Sequence, residues 1–89
     1  MLIALIAKDK PGASQMRLGN RDAHLAYIKE TGVVAQAGPL LDASGDMAGS
    51  LVILDVADMK QAQDWADSDP YAKAGLFDSV ELIEWKKVI

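Results

Sequence analysis

An α+β domain with the element order β-α-β-β-α-β is what this sequence predicts, and three observations lead there. Short runs rich in Val, Ile and Leu alternate with stretches of helical periodicity. Turn-forming clusters of Gly, Pro, Asp and Ser separate them. Eighty-nine residues suffice for one domain spanning 1–89 and leave no room for a second core.

The elements follow in order. Leu2–Ala7 is a continuous apolar run closed by Lys8-Asp9-Lys10-Pro11-Gly12, a strand and its turn. Ser14–Thr31 has helical spacing, with Leu18, Leu25 and Ile28 as its apolar side and Gly32 as C-terminal cap. Gly19-Asn20 interrupts it, so Asn20 is a candidate N-cap for the helix proper. Val33–Leu41 and Gly49–Val56 are β-rich and joined by the hairpin-type loop Asp42–Asp46. Within the first of these, Gly38-Pro39 predicts a bulge or strand end that can shape a pocket. Asp58 opens a second helix with Gln61 in capping-box register and Met59, Ala62, Trp65 and Ala66 on its buried side. Asp69 then caps a short helix that has Pro70 at its first position and ends at Gly75. Val80–Ile89 reads as the last strand. This is the ferredoxin-like arrangement, with both main helices on one face of a four-stranded antiparallel sheet.

The other sheet face should be polar if it met water. It is not: Leu2, Ala4 and Ile6 alternate with Ile3, Leu5 and Ala7, and residues 51–54 are apolar on both sides. An uncovered apolar face calls for a partner sheet. A homodimer through that face is expected, or a higher assembly built from it.

Composition narrows the function. A net charge of −4 and the absence of any basic stripe argue against nucleic acid and anionic membranes as partners. There is no cysteine, hence no disulfide, thiol nucleophile or cysteine-based metal centre. The apolar start is too short for a signal peptide and lacks a basic leader, so the expected location is cytoplasmic. No phosphate loop, dinucleotide fingerprint or metal-ligand spacing occurs, so neither cofactor nor metal is expected.

Both arginines and the one histidine fall at Arg17, Arg21 and His24. Such spacing puts side chains on one side of a helix, bordering an apolar surface at Ile28. If Asn20 starts the helix, Arg17 joins the others only through tertiary placement. Guanidiniums disfavour a protonated imidazole, leaving it able to act as a base, and a position in a first helical turn acts the same way. An imidazole in that role needs an orienting partner. Asp69 is the candidate, with helix capping as its competing role; Asp64 and Asp67 read as solvated helix acids. Arg17 and Arg21 suit an anion clamp or, equally, surface ion pairs. Ser50 lacks the context of a hydrolase nucleophile.

R-x-x-H-L at Arg21–Leu25, A-G-P-L at Ala37–Leu40, G-S at Gly49-Ser50 and A-Q-D-W-A-D-S-D-P-Y at Ala62–Tyr71 occur in one order. With A-G at Ala74-Gly75 and the closing Lys86-Lys87-Val88, the chain resembles the YciI-like (YCII-related) family over essentially its whole length. Asp22 stands where that family often has proline, and the loop between the second and third strands is short. The resemblance implies a dimeric α+β barrel and an active-site pair that maps onto His24 and Asp69. It also implies chemistry of lyase, isomerase or dehydrochlorinase type on a small, oxygenated anion, aromatic or lactone-like. Residues expected to line that site are Arg17, Arg21, Gly38, Pro39, Ser50 and Tyr71. Two other functions compete: a non-catalytic dimer that binds a small anion in the same pocket, and a cofactor-free oxygenase acting on a quinol.

Overall fold

The computed structural model describes all 89 residues. The elements are β1 (Leu2–Asp9), α1 (Ser14–Thr31), β2 (Val34–Leu41), β3 (Met47–Asp55), α2 (Met59–Ser68), α3 (Pro70–Lys73) and β4 (Phe77–Trp85). The strands form one antiparallel sheet in the order β2-β3-β1-β4, and the helices cover one face. The fold is α+β and ferredoxin-like.

The core lies between helices and sheet. Ile3, Leu5 and Ala7 of β1 and Val52 and Leu54 of β3 point up from the sheet onto Ala62, Trp65 and Ala66 of α2. Truncating a buried leucine such as Leu54 to alanine costs about 2–5 kcal/mol in cores of this kind. Polar ends are satisfied inside this layer. Tyr27 of α1 donates to the Trp65 carbonyl oxygen at 2.8 Å, and Trp65 Nε1 donates to Thr31 Oγ1 at 2.9 Å. These bonds tie α1 to α2 and fix the azimuth of α1 over the sheet.

That azimuth is not the one the leucines suggest. Leu18 and Leu25 are 54% and 43% exposed, whereas Arg17 and His24 are the buried residues of α1. The helix has turned a polar stripe inward because specific partners await it there. It also runs unbroken through Gly19-Asn20. Asn20 is no cap: its side-chain amide donates back to the Met16 carbonyl oxygen at 2.8 Å, and Ala13 stands at the N-cap without a side-chain bond. Arg17, Arg21 and His24 therefore share one helix.

Other expectations shift as well. Met59 is 40% exposed, leaving Ala62, Trp65 and Ala66 as the buried side of α2. β4 lies earlier than Val80–Ile89, because its register is set by β1, with Leu2 opposite Trp85 and Asp9 opposite Phe77. Beyond Trp85 there is no strand to pair with, and Val88 and Ile89 are exposed. β2 does not break at Gly38-Pro39. It is an edge strand, where a missing N–H costs no ladder bond, and its irregularities flank the pair at Val34/Gln36 and Leu40/Leu41.

On the face without helices, Ala4 pairs with Ile53 and Ile83, and Leu2, Ile6, Leu51 and Trp85 surround them. Leu51, Ile83 and Trp85 are 39–48% exposed there.

Candidate active site

The site begins at a proline. A residue preceding proline is pushed out of the helical region, and Asp69, with φ −61° and ψ 129°, separates α2 from α3 at that point. Its side chain turns inward and its Oδ1 accepts from the Tyr71 backbone N–H at 3.0 Å, capping α3. The same Oδ1 stands 2.8 Å from His24 Nδ1. Asp69 is 1% exposed and His24 6%, so this pair is inside the protein. A carboxylate partner makes Nδ1 the donor and leaves Nε2 of the neutral ring unprotonated. No buried side-chain nitrogen or oxygen lacks a partner, and Nε2 has none from the protein, so it opens to solvent-accessible space.

Tyr71 completes the setting of the ring. The phenol stacks on the imidazole with centroids 4.0 Å apart and planes at 16°. Phe77 meets Tyr71 edge-on, and the Arg17 guanidinium carbon lies 4.7 Å from its ring centre. Burial pushes the Tyr71 hydroxyl above the usual phenol range, while the charges of Arg17 and Arg21 pull it back.

Arg17 is not a free clamp. Its Nε and Nη2 meet the two carboxylate oxygens of Asp9 at 2.6 and 2.9 Å, a fork-to-fork pair, and Nη2 also donates to Ser50 Oγ at 2.9 Å. Both partners are almost fully buried, their side chains 4% and 6% exposed. Burial works against the cation, but the hydrogen bond and charge of Asp9 outweigh it, and the Arg17 pKa lies above its ordinary value. Arg21 is exposed and takes part in no ion pair.

These groups border a cavity of about 190 Å³. Arg17, His24, Ser50 and Tyr71 form its buried inner wall, and Arg21, Leu25, Gly38, Pro39 and Met47 its exposed mouth. A wider depression of about 550 Å³ adjoins it on the far side of Arg17 and Met47, between the β1–α1 turn and the β2–β3 loop. All eight residues named from sequence thus converge: seven line the cavity, and Asp69 stands behind His24. Asp64 and Asp67 stay at the surface, bonded to Lys60 and Gln63. His24 sits mid-helix rather than in a first turn, so the helix dipole does not act on it.

Asp9 is the residue that sequence reasoning missed. It looked like part of a turn, yet Ile3, Leu5, Ala7 and Asp9 alternate onto the helix-covered face, and that period was a readable signal. No group of three or more His, Asp or Glu side chains converges on a metal-binding geometry. No helix is long and apolar enough to cross a membrane.

Comparison with known proteins agrees with this picture. The family model of the YCII-related domain matches residues 1–86. Protein YciI of Escherichia coli O6:H1 is 37% identical, over 99% of both chains. An uncharacterized protein of Haemophilus influenzae is 32% identical over the same shares. Among solved structures, the 5-chloro-2-hydroxyhydroquinone dehydrochlorinase of Burkholderia phenoliruptrix, in complex with 2,5-dihydroxybenzoquinone, superposes with a TM-score of 0.90. It is 35% identical, and the match covers 97% of this chain and 94% of that one.

Proposed function

Because the chain belongs to the YCII-related family, we propose that it is a cytoplasmic enzyme using His24 and Asp69 for acid–base chemistry on a small oxygenated anion. The observation that carries this reading is the 2.8 Å bond from His24 Nδ1 to Asp69, which leaves Nε2 free beside the cavity. Nε2 takes a proton from an acidic O–H or C–H of the ligand, and Asp69 stabilises the imidazolium that results. The released electron pair moves through the conjugated ligand. It either expels a leaving group such as chloride, with net loss of HCl, or picks up the proton again at another carbon. No electron enters or leaves, so neither step requires a redox partner. Arg21, unpaired at the mouth, meets the ligand's negative charge.

The dimer belongs to the same reading. The open sheet face, with Ile83 central and apolar neighbours around it, is taken to pack against a second copy.

The test is a panel of chlorinated hydroxyquinols and lactones, with chloride release, oxygen uptake and binding measured separately for wild type and His24→Gln. Chloride release or isomerisation by wild type, reduced about 10²–10⁴-fold in His24→Gln with binding retained, supports the enzyme. Binding without turnover leaves a small-anion-binding protein, and oxygen consumption on a quinol leaves an oxygenase.

A further inference from the structure

Ser50 is 3% exposed in the middle of β3, opposite Ala7 on one side and Pro39 on the other. Its neighbour Gly49 sets it there, since a Cβ at that position would collide with the Ala7 carbonyl oxygen and push β3 away from β1. A serine hydroxyl has one proton to give and two lone pairs with which to accept. Arg17 Nη2 fills one lone pair at 2.9 Å. A guanidinium has donors only, so the hydroxyl cannot give its proton back to Arg17. Nor can Arg17 swing aside: Asp9 grips it through both oxygens, and Tyr71 lies against it. No protein acceptor takes the Ser50 proton, and the cavity shared with His24 and Arg21 is the space beside it.

We infer that the Ser50 hydroxyl is the hydrogen-bond donor to the anionic oxygen of the bound ligand, aimed by Arg17 and Asp9 acting as positioning residues. The inference rests on the acid–base reading above and assigns the donor for its ligand. It also narrows the ligand. The charge of Arg17 is balanced by Asp9 and that of Asp69 faces His24, so the cavity offers one unpaired guanidinium and one neutral donor. That set suits a delocalised oxyanion of phenolate or enolate type, whose charge is already spread over a conjugated frame.

The experiment titrates 2,5-dihydroxybenzoquinone, whose visible absorption follows its ionisation and hydrogen bonding, into wild type, Ser50→Ala, Ser50→Cys, Asp9→Asn and Ser50→Ala/Asp9→Asn. Wild type binds and shifts the band. Ser50→Ala weakens binding about tenfold, the usual size of one bond to a charged group, and returns the band towards that of the free anion. The weak S–H donor of Ser50→Cys gives an intermediate shift. Asp9→Asn moves the band in the same direction as Ser50→Ala, and the two losses are not additive. Thermal melts monitor folding, and should Asp9→Asn fail to fold, the Ser50 pair decides by itself. Wild-type binding that Ser50→Ala leaves unchanged overturns this inference alone. Additive losses overturn the positioning role of Asp9. A wild type that does not bind the probe, while another conjugated anion from the panel is turned over without sensitivity to Ser50→Ala, also removes the inference and spares the functional reading. No binding and no turnover of any panel member removes both.

Discussion

Asp69 Oδ1 accepts from His24 Nδ1 at 2.8 Å and from the Tyr71 N–H at 3.0 Å, so one oxygen both starts a helix and aims an imidazole. The two duties are separable by substitution. Asparagine caps about as well as aspartate, so Asp69→Asn keeps α3 and loses the charge that fixes the tautomer. In ¹⁵N NMR of the single imidazole, wild type shows the Nδ1–H form when neutral and Asp69→Asn a mixture. Asp69→Ala also loses the cap, and with the stranded His24 donor it lowers stability by about 1–3 kcal/mol.

The buried pair of Asp9 and Arg17 gives a second expectation. Arg17→Met leaves a carboxylate without its partner and destabilises the fold by about 3–5 kcal/mol in urea titrations. Arg17→Met combined with Asp9→Leu recovers most of that loss, since no charge is then left inside. Arg17→Lys does not rescue, because an ammonium cannot reproduce the planar fork.

Alkaline stability follows from the tyrosines. Burial raises the hydroxyls of Tyr27 and Tyr71 above their ordinary 10.0. The folded protein therefore holds these protons more tightly than the unfolded chain, which releases them from about pH 10. Their stabilisation is complete below that pH and is lost as pH rises through the folded values. Urea midpoints measured from about pH 9 to 11.5 should fall steadily, and the slope should flatten in Tyr27→Phe/Tyr71→Phe.

The open sheet face yields an expectation about assembly. Ile83 lies opposite Ala4 at the centre of that face and is 48% exposed in the single chain. Sedimentation should find wild type as a dimer or larger and Ile83→Glu shifted towards monomer, while α1 and the His24 environment, on the other face, keep their NMR signature.

Strand order, the turn clusters and the D-P-Y corner were legible in sequence because each rests on local chemistry. Pro70 forces Asp69 out of the helix, and that much needs no tertiary information. The orientation of α1 was not legible. A hydrophobic count turns Leu18 and Leu25 inward, but the bonds of Arg17 to Asp9 and Ser50, and of His24 to Asp69, join residues distant in sequence and outweigh two leucines. The start of β4 was hidden for a similar reason: its register depends on where β1 ends, not on its own apolar run. Asp9 escaped notice because its neighbours Lys10, Pro11 and Gly12 speak for a turn, while its partner lies a helix turn beyond them.

The cavity divides into a buried wall that belongs to the core and a mouth that does not. Substitutions at exposed positions such as Arg21, Leu25 and Met47 cost within about 0.5 kcal/mol, whereas those at the wall disturb folding itself. Evolution can therefore revise which molecule is admitted through many small neutral steps, and the machinery behind the entrance is inherited unchanged. Divergence among relatives of this chain should be sought at the rim, where a change of diet is cheap.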